Sequence, residues 1–230
     1  MIDLAAAKAT YRSAALVFAD LVARIPADDW EEPGLGEWDL RALVGHTSRA
    51  LSTVINYLQR PAANEAASSP EQYFARAKQT ASAASPEVNA VADGAANPGA
   101  GGMAMPDAYA VAVAERGRQA GRQLGAEPAT AVRVLVDHAL ESVDTSPDVL
   151  IETAAGGMYL RNYLPTRTFE LAVHSLDIAA AAGVAAALPA DVLLEATALA
   201  GRIAVELGCG LEVLTALTGR TGLPEGFTVV

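Results

Sequence analysis

Apolar residues recur at helical spacing over residues 3–25, where Leu4, Tyr11, Ala15, Val17, Phe18, Leu21, Val22 and Ile25 run up to a stop at Pro26. A second helix is expected over 39–60, with Leu40, Leu43, Val44, Leu51, Val54, Ile55 and Leu58 on one stripe and Pro61 at its end. The intervening "PADDWEEPGLGEW" holds Gly, Pro and Trp together, the mark of a compact connection, and Trp38 is expected to pack it against the helices. Residues 61–106 are rich in Ala, Ser, Pro, Gly and Asn. They read as a long crossover with one short helix near 73–84 and a mobile, unperiodic tip at "ADGAANPGAGGMAMP". A third main helix follows at about 107–124, then a short helical piece in "ATAVRVLVDHALESV", then two short extended segments about a Gly156-Gly157 turn. Beyond a fourth main helix, 167–183, the tail predicts one clear helix at 191–207 and a short one at 211–218.

The fourth helix, "RTFELAVHSLDIAAAAG", is apolar on nearly every side and still carries Arg167, Glu170, His174 and Asp177 on a single face. A helix apolar all round is buried, and an unpartnered buried polar group costs on the order of 2–7 kcal/mol. Two readings satisfy these groups. In one, Arg167 pairs with Glu170 and His174 bonds to a backbone carbonyl. In the other, a carboxylate and a neutral imidazole one turn apart bind a cation together, as inward-facing pairs do in helical bundles, with a third ligand from elsewhere. The chain has three histidines. His46 lies at the border of the second helix's apolar stripe, where an inward ligand or a core histidine would sit, while His138, between Asp137 and Glu141, looks like a residue on a solvated face.

Composition narrows the function classes. With 52% hydrophobic and 19% charged residues the chain is a well-buried globular protein. Its net charge of −11 and lack of a Lys/Arg cluster argue against a nucleic acid or an anionic membrane surface as partner. The early charges Asp3, Lys8, Arg12, Asp20 and Arg24 interrupt any signal-peptide core, and no membrane span follows, so a cytoplasmic location is expected. The one cysteine, Cys209, cannot form an internal disulfide. No basic residue stands beside it in sequence, so it reads as a small buried hydrophobe rather than a nucleophile.

"GLGEWDLRALVGHTSRAL" and, more than a hundred residues later, "GGMYLRNYLPTRTFELAVHSLDIAAAAG" carry a W-x₇-H pattern and an R-x-x-E-x-x-x-H-x-x-D pattern. Together they resemble the mycothiol-dependent maleylpyruvate isomerase family of the DinB-like superfamily, over roughly residues 5–183. The resemblance implies an all-α fold: an antiparallel four-helix bundle of up-down-down-up order, to which the residue pattern adds a short extended hairpin and a small helical tail. The expected division is a metal-binding bundle over 1–183 and a helical extension packed on it over 184–230. The resemblance also implies a divalent metal, zinc first with nickel or manganese as alternatives, held by His46, Glu170 and His174 with positions left open for water or a thiol.

Such a centre turns a coordinated thiol into a thiolate at neutral pH. That would supply the sulfur this chain's own inventory lacks, drawn from mycothiol as cosubstrate. Attack on a small electrophile gives S-transfer; addition, rotation and elimination on a conjugated diacid give isomerisation. The family's isomerase carries a further α/β domain, whereas the 47 residues after Gly183 here resemble the tails of shorter DinB-like members with varied substrates. The expected function is thus a mycothiol-dependent S-transferase or isomerase. The alternative is a non-catalytic DinB-like metal-binding or stress-response protein, distinguished by a site closed with a fourth protein ligand. Around the metal, Asp177 is expected either to orient His174 or to sit at an exposed helix end. Arg167 would neutralise Glu170 or reach a substrate carboxylate, and Arg220, the tail's last cation, would lie over the bundle mouth. A monomer or homodimer is expected.

Overall fold

The computed structural model describes residues 2–83 and 108–229. In chain order it contains α1 (Leu4–Val22), α2 (Leu40–Leu58), α3 (Pro70–Ala83), α4 (Ala108–Gln123), α5 (Pro128–Thr145), β1 (Leu150–Thr153), β2 (Gly156–Tyr159), α6 (Leu160–Ala181), α7 (Ala190–Glu206) and α8 (Gly210–Leu217). The stretch 92–106, read as an unperiodic tip, lies outside the described residues. None of the described helices is long and apolar enough to cross a membrane.

α1 and α2 each pack on both α5 and α6, which sets α1 and α2 at opposite corners of a four-helix bundle. Their directions can be read from the bonds between them. Arg12 near the start of α1 pairs with Asp144 at the end of α5, and Arg133 near the start of α5 pairs with Asp20 at the end of α1 at 2.6 Å, so these two run antiparallel. Arg41 at the start of α2 donates to the Gly125 carbonyl just ahead of α5, which makes α2 and α5 parallel. Tyr163 Oη, early in α6, donates to Thr53 Oγ1, late in α2, at 2.9 Å, whereas His46 and His174 meet at the other end. The order is therefore up-down-down-up. Its core is continuous, from Tyr11, Phe18 and Leu21 on α1 through Leu43 and Leu51 to Leu164, Leu171 and Ile178 on α6.

Two helix assignments from the sequence are corrected. The segment read as a short helical piece is α5, a bundle helix of 18 residues. It buries Val132, Val136, Ala139, Leu140 and Val143 at a steady helical spacing, and Pro128 at its first turn fixes where it starts. The helix read as a bundle member, α4, instead lies outside, against α2. The two backbones meet at glycines: a Cβ on Gly45 would lie 2.1 Å from the Gly121 nitrogen, so no other residue fits at that crossing. The hairpin also differs in detail, since β1 and β2 pair antiparallel around Ala154 and Ala155, and "LRNYL" opens α6 rather than extending a strand. Gly156, with φ of 90°, begins the return strand.

The loop from Ala23 to Asp39 is compact, as expected. Trp30 and Trp38 are buried, Gly34 donates to the Trp38 carbonyl at 2.8 Å, and the Asp39 side chain caps α2 by accepting from the Ala42 amide at 2.7 Å. In the tail, α7 packs on α1, α3 and α6 through Val192, Ala196, Leu199 and Ile203, which join the same core. α8 buries none of its residues. Cys209, expected to be buried, is half-buried at the turn between α7 and α8.

Candidate metal centre

The polar face of α6 meets the border of α2's stripe inside the bundle. His46, Glu170 and His174 are buried, and each offers one ligand atom such that all of these lie within 4.8 Å of one another. This is a group of side chains that could hold a metal ion. Among the described residues no fourth His, Cys, Asp or Glu joins them. The cavity they share with Thr47, Arg49, Ala50 and Arg167 measures about 10 Å³, room for a single ion or water.

The geometry around His174 constrains its protonation. Nδ1 lies 3.0 Å from Asp177 Oδ2, and Nε2 lies 3.4 Å from Glu170 Oε2. A carboxylate only accepts, so Nδ1 carries hydrogen toward Asp177 and Nε2 faces Glu170. Burial alone would lower the basicity of this ring. The bonds to Asp177 and Glu170, and the charge on both, outweigh it and push the imidazole up to about 9. The ring of His46 stands edge-on to that of His174 at 5.0 Å and behaves oppositely. Burial first, then the positive charge of His174, Arg49, Arg116 and Arg167, hold it well below the ordinary histidine value. Its Nδ1 is buried and has no hydrogen-bond partner among the described residues, a condition that costs about 1–3 kcal/mol unless something binds there.

Arg167 is buried at 2% exposure. Its guanidinium lies over the rings of Tyr73 and Tyr163, 4.9 and 5.0 Å from their centroids, and its Nε donates to Thr166 Oγ1 at 3.0 Å. Asp177 is at His174, not at a free helix end. Arg220 is exposed, donates to the Thr218 carbonyl within its own tail, and is not among the residues lining the cavity. His138 is exposed on α5, away from the three ligand candidates.

Two neighbours were not foreseen. Trp38 does pack its loop down, but it also lies 4.5 Å from the His46 ring, tilted by 32°, with Nε1 donating to the Ala114 carbonyl of α4 at 2.9 Å. Gly117 leaves the space for it, since a Cβ there would come within 2.7 Å of the indole. Arg49 lines the cavity one turn after His46, a spacing readable in the sequence once His46 is taken as inward-facing.

A family model described as the mycothiol maleylpyruvate isomerase N-terminal domain matches residues 11–179. The chain belongs to that family. No curated protein and no solved structure matches it. The mycothiol maleylpyruvate isomerase domain thus spans His46, Arg167, Glu170, His174 and Asp177, while Arg220 falls outside it. The bundle described above is the all-α, DinB-like fold expected of such a chain.

Proposed function

We propose that this protein is a thiol-dependent metalloenzyme, a mycothiol-dependent S-transferase or isomerase acting on a small electrophile. In this reading the bundle over residues 1–183 is the catalytic unit and 184–230 an extension packed on it. One observation carries the metal: Nε2 of His174 and Oε2 of Glu170 face each other at 3.4 Å while Nδ1 is committed to Asp177. A neutral ring in that tautomer would aim a lone pair at a buried carboxylate, so a cation or a proton has to stand between them. The Nδ1 of His46, unpartnered among the described residues, and the ion-sized cavity favour a cation. Two imidazoles and one carboxylate suit zinc, with nickel or manganese as alternatives.

His46, Glu170 and His174 would hold the ion, and no fourth protein ligand closes the set among the described residues. When bound, a divalent ion would lower the pKa of a thiol so that its sulfur is available as thiolate at neutral pH. The protein's own residues prepare that step. Asp177 fixes the tautomer and orientation of His174 and raises its basicity as a ligand. Glu170 brings the single ligand charge that offsets the ion. Arg167, locked between Tyr73 and Tyr163, sets a fixed positive charge beside the site that favours anionic reactants. Trp38 and the surrounding core keep bulk water from the ligands, which strengthens each of these electrostatic terms.

Metal analysis followed by calorimetry with mycothiol tests this. The zinc-loaded protein should bind mycothiol, with a heat that varies with the buffer's ionisation enthalpy because a thiol proton is released. Absence of heat from mycothiol, glutathione and bacillithiol at millimolar concentration would leave only a metal-binding protein.

A further inference from the structure

α7 buries one stripe, Val192, Ala196, Leu199 and Ile203, as a surface helix does. It carries a second stripe. Leu194, Ala198, Gly201 and Val205 are each offset from the buried set by two residues, and their intervals of four, three and four are the seam spacing of a helix that packs on another helix. This seam faces outward. Leu194 and Val205 are 72% and 69% exposed, and a Cβ on Gly201 would meet nothing within 4 Å. A glycine in mid-helix costs about 1 kcal/mol relative to alanine. Gly45, Gly117 and Gly121 are needed by close neighbours, whereas no described residue of this chain lies near enough to require Gly201.

The apolar surface continues past the end of α7. Val205 stands against the start of α8, where a Cβ on Gly210 would lie 2.7 Å from its Cγ2. α8 buries none of its residues, leaves Leu211, Leu214 and Leu217 exposed, and at eight residues is too short to be a stable helix in water by itself. Of the ten exposed large hydrophobics among the described residues, seven lie between Leu193 and Leu223. They present on the order of 600 Å², at the upper end for a monomer's surface and approaching the roughly 800 Å² that each partner gives to a stable interface.

We propose that this surface is a two-fold interface with a second copy of the chain, in which α7 packs antiparallel on α7. The seam is symmetric in size, bulky at Leu194 and Val205 and small at Ala198 and Gly201. A two-fold axis between Ala198 and Gly201 sets Leu194 against Val205 of the second copy and brings the small residues together where the helices cross most closely. Antiparallel pairing also opposes the two helix dipoles, which parallel pairing would align. Beside the seam, Glu195 and Arg202 are bonded to each other within the chain at 3.1 Å, so neither brings an uncompensated charge to the contact. At its ends the exposed Asp191 of one copy comes toward Glu206 of the other, and each chain has a net charge of −11. Association should therefore strengthen with salt. α7 and α8 lie beyond the residues 11–179 that the family model matches, and the inference is independent of the metal centre.

Sedimentation equilibrium of the full chain tests this. Dimers should form at concentrations on the order of 10–100 μM, within the range an interface of this size allows. Gly201→Glu should raise the dissociation constant by about tenfold or more, since it places a charge in the middle of the seam. It touches no core residue and favours the helix over glycine, so the fold and the metal content should hold. Leu194→Lys and Val205→Glu should each weaken association by about tenfold, and the two combined in one chain should recover it, because only the antiparallel axis sets each introduced charge against its opposite. A single chain at every concentration up to the millimolar range, dimers indifferent to Gly201→Glu, or a double variant weaker than either single one would overturn the proposal. So would a chain that never self-associates but binds phosphatidylcholine vesicles through Gly201, which would make the surface a membrane contact.

Discussion

Asp177 Oδ2 holds His174 by its Nδ1 at 3.0 Å, one turn further along the same helix, and leaves Nε2 as the only nitrogen of that ring free to face Glu170. Replacing the carboxylate with an amide keeps the shape but loses the charge and permits the wrong tautomer. Asp177→Asn should therefore weaken metal affinity by about 10- to 100-fold without unfolding the bundle. Chelator competition against the parent protein measures this directly, and unchanged affinity would assign Asp177 to the surface alone.

The assignment of ligands makes a sharper prediction. His46→Ala and His174→Ala should each abolish stoichiometric metal binding, because each removes one of three donors around an ion-sized cavity. His138→Ala should retain about one metal per chain, since that side chain is exposed on α5. Elemental analysis of the three purified variants decides the matter, and full occupancy in both of the first two would mean the ion is held elsewhere.

Much of this candidate centre is legible in the sequence. The run from Arg167 to Asp177 puts ionisable groups on one face of a helix that is otherwise apolar, and burial converts that pattern into a demand for partners. His46 was only a border residue of an amphipathic stripe; it became a ligand candidate in combination with the other pair. The role of α5 was harder to see. Its stripe of Val132, Val136, Ala139, Leu140 and Val143 is regular, with Asp137 and Glu141 on another face, but the stripe does not say that the helix packs inside the bundle on α1 and α2. α4 erred the other way, because its periodicity says that one face is covered but not by what. That information sits in Gly45, Gly117 and Gly121, whose missing side chains matter only once two helices cross. The stacking of Trp38 on His46 depends on the same crossing, so it too was beyond a reading of the chain alone.

That crossing should be intolerant of even one methyl group. A Cβ at position 45 would lie 2.1 Å from the Gly121 nitrogen and 2.5 Å from its Cα, backbone that cannot swing aside as a flexible side chain can. Gly45→Ala should cost about 1–3 kcal/mol by overpacking. For a chain of this length, that corresponds to a fall in Tm of about 2–12 °C. Gly125→Ala is a useful contrast. It has open space around it but a φ of 69°, so any loss there reflects backbone strain alone. A Tm for Gly45→Ala equal to the parent's would show that α4 does not hold α2 so closely in solution.

The opposed titration of the two buried histidines fixes how metal binding should depend on pH. His174 is pushed up to about 9 because the bonds to Asp177 and Glu170 outweigh its burial, whereas burial and neighbouring positive charge keep His46 neutral well below the usual range. In the unfolded chain both titrate near 6.5. Between that value and about 9 the folded, metal-free protein holds a proton on His174 that the unfolded chain has lost, so this stabilisation fades as pH rises. Below about 6.5 the unfolded chain takes up a proton at His46 that the folded state refuses, so stability also falls in acid. These two groups alone therefore place the stability maximum of the metal-free protein near pH 6.5. Zinc must expel the His174 proton, and His46 has none to give, so binding at pH 7 should release about one proton from the pair. Apparent affinity should accordingly rise about tenfold per pH unit from 6.5 toward 9. Calorimetric titration with zinc in two buffers of different ionisation enthalpy counts the protons. A release near zero, or an affinity flat between pH 6.5 and 8.5, would mean that the His174 ring is not protonated in the protein awaiting its metal.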